Sequence, residues 1–392
     1  MNAHDRPGLI VGLDATNLRS GGGRTHLIEL LRSVEPQKHG VSRIIVWGAR
    51  DTLDRLSDHA WIQKCNPPEL EGNLVERTRW QHRELSNAAR AASCDILFVP
   101  GGNYLGDFHP VVTMSRNSLP FESRELARYG MSPSTLRLVL LRFSQARTFR
   151  RADGVIFLTQ YAKRSVSKIV GRFHGETEIV PHGINDRFVI PPRPQRTIET
   201  CSAADPFQLL YVSNIDLYKH QWVLVDAVAR VRNQTGWPLA LDLVGGASNA
   251  PALRKLDRSV QAADPAGQWV RRHGSIPHEE LHAIYARADV GVFASTCENM
   301  PNILVETMAA GLPVACSNRG PMPEILGSAG VYFDSENAES IATALRNLIE
   351  SASVRQEKAQ ASFVAAGAYS WRRCADETFR FLARVAAKHA KD

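Results

Sequence analysis

The chain has 392 residues, of which 44% are hydrophobic and 22% charged, with a formal net charge of +7. This length allows two domains of ordinary size, and no apolar run approaches the roughly 20 residues of a membrane-spanning helix. The first residues, MNAHDRPG, lack the charged-then-apolar layout of a signal peptide, and six cysteines without a CxxC spacing favour a reducing, cytoplasmic setting.

Strand-like and helix-like segments alternate along the first half of the chain. A helix is predicted at 26–31, and further helical patterns separate most of the strands. Short apolar runs predict the strands themselves at 9–13, 43–47, 96–100, 111–114 and 154–158. This alternation is typical of a parallel sheet with helical crossovers.

A second series of segments follows, with strands predicted at 208–213, 239–245, 290–293, 313–316 and 331–333. Residues 189–206, between the two series, are rich in Pro and polar residues and are predicted to be a linker. We therefore predict an α/β fold of two Rossmann-like domains, 1–188 and 207–370, which face each other across a cleft. Residues 371–392 are predicted to form a final helix, and we expect it to pack back on the N-terminal domain.

The basic surplus is concentrated in one region. Residues 101–174 hold 12 Lys and Arg against 4 Asp and Glu, which favours anionic partners. Within this region, residues 133–151 form a basic amphipathic helical pattern with apolar residues at helical spacing, Leu136, Val139, Leu140 and Phe143. Such a helix either docks on an anionic membrane surface or is an ordinary domain helix with a solvated basic face. No nucleic-acid-binding module accompanies it, so we expect no nucleic-acid partner.

The most informative stretch is residues 297–318, CENMPNILVETMAAGLPVACSN. Glu298 lies in a loop after an apolar run of strand type, and Glu306 lies eight positions later within a helical pattern. Asn302 is predicted as the N-cap of this helix, and a Gly followed by a Pro ends it. Ligands of open α/β sheets bind outside the carboxyl ends of strands, where a strand–loop–helix junction of this kind lies.

Two carboxylates at such a junction indicate a ligand rich in hydroxyl groups. Because like charges repel, Glu298 and Glu306 are poor phosphate ligands, but both can accept hydrogen bonds from a polyol. The amides after Asn302 can bind an anion at the positive end of the helix. A sugar nucleotide combines these two chemistries. The alternative is that Glu306 lies on a solvated helix face and that Glu298 is an ordinary loop residue. The apolar neighbours of Glu306, Val305 and Met308, argue against this alternative.

Two weaker signals each follow the first strand of a series. Gly22 and Gly23, in a run of three glycines, let the backbone approach a phosphate closely, but the run is not G-x-G-x-x-G, and a plain tight turn is the alternative. Lys219 follows the first strand of the second series and can neutralise a diphosphate. The alternative is that Lys219 is an ordinary solvated lysine on the protein surface.

Two loops carry further candidates for substrate binding. His182, in the segment PHGIN, either faces the cleft or is an ordinary residue of a surface loop. Gly274 precedes an amphipathic helical pattern and is a candidate for backbone contacts to a base. The alternative for Gly274 is a glycine required only by turn geometry.

Residues 271–334 resemble the signature region of the retaining glycosyltransferases of the GT-B fold, family four. That family runs through a strand ending in Gly, an eeLhxlYxxAdv pattern, Glu-x7-Glu, Ala-x-Gly-x-Pro-Val and Gly-x-x-Pro-Glu. The residues that match, in the same order, are Gly274, Glu280, Leu281, Tyr285, Ala288, Asp289, Ser295, Glu298, Glu306, Ala310, Gly311, Pro313, Val314, Gly320, Pro323 and Glu324. Looser similarity outside this region covers Gly22, Gly23, His26, residues 181–185 and Lys219.

The resemblance implies a nucleotide-sugar donor in the C-terminal domain and an acceptor on the N-terminal one. It implies that Glu298 contacts hydroxyls of the donor sugar and that Glu306 contacts the nucleotide ribose. Lys219 and the Gly22–Gly23 loop are expected to hold the diphosphate. They are joined by backbone groups of six consecutive residues, Asn299, Met300, Pro301, Asn302, Ile303 and Leu304. We expect retention of anomeric configuration and no metal or other cofactor, since the sequence has no Asp-x-Asp.

The sequence departs from the family in two places. Asn214 occupies the substrate-binding position, about five residues before the lysine, where the family usually has an arginine, and Arg24 or Arg116 is a candidate to compensate. The family also often has a histidine after an N-domain strand, and here residues 113–117 contain none. Arg116 and Asn117 are therefore candidates for positioning the sugar.

Together these features predict a metal-independent retaining glycosyltransferase. It would move a hexose from a GDP- or UDP-linked donor such as GDP-mannose to a glycan in lipopolysaccharide, O-antigen or other surface polysaccharide synthesis. The acceptor is expected to be a glycan, with lipid-diphosphate linkage as one form of it. A cytoplasmic location is expected, with peripheral attachment at the inner face of the cytoplasmic membrane as one version. The alternatives are a degenerate GT-B protein that binds without turnover and a GT-B epimerase.

Overall fold

The computed structural model describes residues 8–390, which divide into two units. The first unit contains residues 8–121, 133–183 and 370–390. The second contains residues 122–132 and 184–369. Each unit is built around one parallel sheet, which confirms the predicted α/β class.

The sheet of the first unit has the order β3-β2-β1-β4-β5-β6-β7. Its strands are β1 (Leu9–Asp14), β2 (Val41–Trp47), β3 (Ile62–Cys65), β4 (Ile96–Val99), β5 (Val111–Ser115), β6 (Gly154–Phe157) and β7 (Glu176–Ile179). All neighbours pair in parallel, and Gly12 of β1 stands opposite both Ile45 and Leu97. Strands β4, β5 and β6 are buried along their whole length, as expected for central strands covered on both faces.

The helices that lie before residue 171 belong to the first unit, except for one short helix that belongs to the second. They are α1 (Gly21–Ser33), α2 (Arg50–Leu53), α3 (Leu74–Arg83), α4 (Leu85–Ala91), α5 (Ser123–Ala127), α6 (Pro133–Arg151) and α7 (Gln160–Val170). The exception is α5. Helix α3 begins with a capping box, in which Asn73 accepts from the Glu76 amide and the Glu76 carboxylate accepts from the Asn73 amide.

The sheet of the second unit has the order β10-β9-β8-β11-β12-β13 and is also parallel. Its strands are β8 (Phe207–Val212), β9 (Leu239–Val244), β10 (Val270–Gly274), β11 (Val290–Phe293), β12 (Val314–Ser317) and β13 (Gly330–Phe333). The helices that follow are α8 (Gln221–Thr235), α9 (Ala250–Ala263), α10 (Leu281–Tyr285), α11 (Asn302–Ala309), α12 (Met322–Leu326), α13 (Ala338–Glu350), α14 (Ala352–Ala366) and α15 (Trp371–His389).

The last helix, α15, belongs to the first unit. Ser370 caps it by accepting a hydrogen bond from the Arg373 amide. Its Phe381 side chain lies against Gly154 of β6, and Arg384 pairs with Glu176 and Glu178 of β7. Helix α15 therefore packs against β6 and β7 of the first sheet.

Two segments fall outside the predicted domain division. Residues 189–206, predicted to be a linker, are folded against the second unit, because Arg193 and Arg196 both pair with the buried carboxylate of Asp289. Residues 122–132 leave the first unit and belong to the second. A Pro-rich composition predicted a linker at 189–206, and ion pairs hold this segment against the second unit.

Candidate active site

Glu298 lies in the loop after β11 and forms an ion pair with Lys219 through Oε1 and Nζ. The two side chains are only 15% and 13% exposed. Lys219 comes from the turn between β8 and α8, so two loops at the carboxyl edge of the second sheet bring the predicted residues together. The order of the strands predicted that Lys219 and Glu298 lie at the same edge of the sheet. The structure adds the direct contact between the two charged groups.

Aromatic rings surround the Lys219 ammonium. Its Nζ lies 5.0 Å from the centroid of the Tyr218 ring and 5.7 Å from that of Phe293. The Tyr211 hydroxyl donates to the Lys219 carbonyl over 3.0 Å, which fixes the backbone of this turn. A cation held in such surroundings is poorly hydrated and interacts strongly with an anion that reaches it.

Helix α11 starts one residue earlier than predicted. Asn302 is its first residue, and Pro301 stands at the cap position without a side-chain hydrogen bond, so the prediction of Asn302 as the N-cap is wrong. The Asn302 amide donates to the Met300 carbonyl (3.0 Å) and the Leu304 amide to the Pro301 carbonyl (2.9 Å). These amides, predicted to bind an anion, are thus already used to form the first turn. Asn299 and Met300 are buried just before it.

Glu306 is buried inside the second unit at 5% exposure, which excludes a solvated helix face. One carboxylate oxygen lies 2.9 Å from His278 Nε2, and the other accepts from the Tyr285 hydroxyl over 3.2 Å. The hydrogen bond to Glu306 raises the pKa of His278, although partial burial opposes the shift. Sequence reasoning missed His278, since a histidine in a polar loop gives no signal of a partner 28 residues away.

A cavity of about 410 Å³ opens at the carboxyl ends of β8, β9 and β10. Ser213, Gly246 and Gly274 are among the residues that line it. Gly274 has a φ of +66° and faces open space, so the backbone at this point is accessible. Asn214 is exposed beside this cavity, next to Ser213 in the chain.

A larger cavity of about 510 Å³ lies elsewhere in the second unit. It is lined by Arg193, Arg196 and Asp289, among others, near the amino ends of β8 and β11. None of the predicted site residues borders it. Since ligands of parallel sheets bind at the carboxyl ends of strands, we place the candidate site at the smaller cavity and the Lys219–Glu298 pair.

In the first unit, the predicted glycine loop is the first turn of α1. The Arg116 guanidinium, just after β5, lies so close to Gly23 that a Cβ atom on residue 23 would collide with it. Burial lowers the pKa of Arg116 to about 10, with no carboxylate of residues 8–390 opposing the shift. A cation at the positive end of a helix makes an anion site, so Gly22, Gly23 and Arg116 fit a phosphate or carboxylate.

His182 is 4% exposed, so it is not a solvent-exposed loop residue. Its ring stacks on that of His26 at 4.7 Å between centroids, and the Trp371 ring lies 5.6 Å away. Burial, followed by the charges of the neighbouring His182 and of Arg116, keeps the pKa of His26 well below its ordinary value. Both rings are thus part of the packing between α1 and α15.

The other two candidates in the first unit have local partners. Arg24 pairs with Asp51 over 2.6 Å, so its charge is already compensated. The Asn117 side-chain oxygen accepts from the Leu119 amide over 3.1 Å. This turn-forming bond gives Asn117 a structural role.

Residues 122–132 supply contacts to the Glu298 loop that the sequence did not reveal. The Glu125 carboxylate is buried, accepts from the Thr296 hydroxyl over 2.8 Å and pairs with Arg128 over 2.7 Å. Thr296 lies two residues before Glu298, and its hydroxyl is also 3.1 Å from His220 Nε2. No local pattern could show this, because the partners are 171 residues apart in the chain.

Residues 8–390 contain neither a candidate membrane-spanning helix nor a candidate metal-binding cluster. None of the helices described is long and apolar enough to cross a membrane. No group of three or more His, Cys, Asp or Glu side chains in the same part of the chain is arranged to hold a metal ion.

Comparison with known proteins shows that part of the second unit is similar to a described family. Residues 206–351 match the family of Glycosyl transferases group 1. The chain is 31% identical over 171 residues to the O-antigen chain mannosyltransferase B of Escherichia coli, covering 43% of this chain and 44% of that protein. It is 28% identical over 210 residues to the GDP-mannose-dependent alpha-(1-6)-phosphatidylinositol monomannoside mannosyltransferase of Mycobacterium tuberculosis, covering 50% and 52%. The aligned region thus spans about half the length of these relatives.

The fold is matched over nearly the whole chain. The sucrose-phosphate synthase from Thermosynechococcus elongatus superposes with a TM-score of 0.75 at 18% identity, covering 97% of this chain and 100% of that one. At this identity the likeness concerns the fold alone. The predicted recognition is confirmed for residues 206–351, which match the Glycosyl transferases group 1 family, and the two parallel-sheet α/β units have the predicted GT-B fold.

Proposed function

We propose that the protein is a retaining glycosyltransferase that moves a hexose from a nucleotide sugar to a glycan acceptor. The observation that carries this proposal is the Lys219–Glu298 ion pair at the carboxyl edge of the second sheet, inside the matched domain. A partly buried pair of this kind is costly to desolvate, so it is weak evidence for stability. It suits a site where a ligand with both charge and hydroxyl groups arrives.

Donor binding would exchange the partners of this pair. The diphosphate replaces Glu298 as the counter-charge of Lys219, and the freed Glu298 carboxylate accepts hydrogen bonds from the donor sugar. In the transfer step the bond from the anomeric carbon to the diphosphate breaks and a bond to the acceptor hydroxyl oxygen forms. The hydroxyl proton passes to the departing diphosphate, whose charge Lys219 stabilises. In this proposal, Lys219 and Glu298 are already in place for the donor but bind each other until it arrives.

Glu306 is proposed to hold the nucleotide ribose. Its two oxygens are already oriented by His278 and Tyr285, so the carboxylate needs little further ordering when ribose hydroxyls approach. The cavity beside Gly274 is proposed to take the base. In the first unit, the anion site at Gly23 and Arg116 is proposed to contact a phosphate of the donor or acceptor.

The names of relatives favour a mannosyl donor and a surface glycan. One relative is named an O-antigen chain mannosyltransferase and another a GDP-mannose-dependent mannosyltransferase. We therefore propose GDP-mannose as the first donor to test and UDP-linked hexoses as the second. We propose a lipopolysaccharide, O-antigen or other polysaccharide intermediate as acceptor, in its lipid-diphosphate-linked form. The reaction is proposed to take place at the inner face of the cytoplasmic membrane and without a metal.

The test begins with thermal unfolding in the presence of GDP, UDP, GDP-mannose and UDP-glucose, with and without EDTA. A nucleotide at 100 times its Kd stabilises the protein by about 2.7 kcal/mol, and Lys219→Met is expected to abolish that shift. Transfer from the nucleotide sugar that binds is then measured with isolated lipid-linked glycans. Binding without transfer to any acceptor would favour a degenerate binder, and a product of inverted configuration would refute the retaining mechanism.

A further inference from the structure

The exposed apolar side chains of the first unit are confined to three segments. Across residues 8–390, nine large hydrophobic side chains are exposed, and six of them belong to the first unit. Those six lie on α3, on the loop after β4 and on α6: Leu74, Val75, Leu105, Leu136, Leu140 and Phe143. Single exposed hydrophobic residues are ordinary on a protein surface, whereas a concentration of them marks an interaction site.

The three apolar residues of α6 form one stripe. Leu136, Leu140 and Phe143 are spaced by four and three residues, which places them on one face of the helix. The exposed Arg147 continues the same face by one more turn. Phe143 is 69% exposed. This half of α6 therefore presents its apolar stripe to solvent instead of to the core.

Hydrogen bonds show that the three segments are neighbours. Asn103, in the loop after β4, accepts from Ser144 of α6 over 2.8 Å and from Gln81 of α3 over 3.1 Å. In the same loop, the Leu105 carbonyl lies 3.0 Å from His82 Nδ1 of α3. The exposed residues thus belong to one surface of the first unit, which we call the α3–α6 surface.

The α3–α6 surface lies toward the carboxyl edge of the first sheet. The loop that contains Leu105 leaves the carboxyl end of β4, and the apolar residues of α3 and α6 lie in the parts of these helices that start from that edge. Arg116 and Gly23 follow the carboxyl ends of β5 and β1 at the same edge. The surface therefore borders the anion site of this unit.

The charge of the surface identifies its partner. Helices α3 and α6 together carry eight arginines, two of them at the far end of α6, and a single acidic residue, Glu76, whose carboxylate is used in the cap of α3. The loop after β4 adds Asp107, which pairs with Arg90 over 3.0 Å. A second copy of this surface would bring arginines against arginines. An anionic bilayer offers both an apolar layer for Leu136, Leu140 and Phe143 and negative headgroups for the arginines around them.

We propose that the α3–α6 surface docks on an anionic lipid bilayer, with Leu140 and Phe143 inserted at the interface. Docking is a property of the surface itself and needs no donor. Its consequence for the acceptor rests on the proposed function: the bilayer delivers a lipid-linked glycan directly to the carboxyl edge that carries Arg116. A membrane anchor would then raise the local concentration of acceptor at the site.

The test is sedimentation of the full chain with vesicles of phosphatidylcholine, with and without a minority of phosphatidylglycerol, at near-physiological salt. We expect binding to the anionic vesicles alone, and we expect Phe143→Glu to lower the partition coefficient by about tenfold or more. The matched control is Val364→Glu on α14, a 67% exposed apolar residue of the second unit. This variant should bind vesicles like the unaltered protein.

Three outcomes would overturn docking: equal binding to both kinds of vesicle, unchanged binding of Phe143→Glu, or an equal loss in Val364→Glu. A change of oligomeric state in Phe143→Glu without a change in vesicle binding would assign the surface to a second copy and also overturn it. Transfer to a soluble glycan, measured without vesicles, separates the two proposals. Phe143→Glu should keep that activity and lose only transfer to the lipid-linked acceptor in vesicles.

Discussion

The Lys219–Glu298 pair gives a prediction that separates binding from stability. Lys219→Met leaves the Glu298 carboxylate only 15% exposed and without its counter-charge. Removing one partner of a fully buried pair costs about 3–5 kcal/mol, and the remaining solvent contact reduces our expectation to about 2 kcal/mol. The double variant Lys219→Met/Glu298→Gln leaves no charge unpaired. It should therefore recover much of that loss, with a coupling free energy of about 1–2 kcal/mol.

The assay is urea-induced unfolding of the two single variants and the double variant, followed by circular dichroism. The control cycle uses Arg230→Met and Glu339→Gln, an exposed pair at 3.0 Å in the same unit, where coupling should stay within about 0.5 kcal/mol. Donor binding should be weak in both Lys219→Met and the double variant, because neither has a cation for the diphosphate. Strict additivity of the Lys219 and Glu298 substitutions would refute the reasoning that the two charges depend on each other.

Three further predictions concern other parts of the two sites. Gly23→Ala should displace the guanidinium of Arg116 and lower transfer activity, whereas Gly22→Ala, with open space around it, should not; kinetics of both variants check this. His278 has a raised pKa, so its pairing with Glu306 stabilises the fold below the ordinary histidine pKa and is lost as pH rises through the raised value. His278→Gln should remove this pH dependence from urea unfolding measured between slightly acid and alkaline pH. Glu298→Ala should abolish turnover, whereas Glu306→Ala should mainly raise the Kd for the donor, as titration calorimetry and initial rates would show.

The central strands of both sheets and the edge strand β13 were predictable from the sequence, and the other three edge strands were not. Strands such as β4 and β6 are buried throughout and appear as unbroken apolar runs. The three strands that were missed, β3, β7 and β10, stand at sheet edges. They keep polar side chains on their open sides, so their sequences carry no apolar run or clear alternation.

The candidate site was predictable where topology decides it. The carboxyl ends of β8 and β11 must meet at one edge, so Lys219 and Glu298 could be placed together from the sequence. Their ion pair, the partners of Glu306 and the link from Glu125 to Thr296 depend on side-chain packing between distant segments. Local patterns do not encode such contacts. The glycine run was misplaced for a related reason, because the first turn of α1 tolerates glycines that intrinsic propensity would exclude from a helix.

The interleaving of the two units along the chain has a consequence for biosynthesis. Helix α5 of the second unit is translated about eighty residues before β8, and α15 of the first unit is translated after the whole of the second unit. Domains commonly fold in the order in which the ribosome releases them. Here the second unit is complete once residue 369 has emerged, while the first still lacks α15, which packs against β6 and β7. The unit that begins first is thus completed after the second unit, and a nascent chain halted before residue 370 would lack the helix that packs on Gly154 of β6.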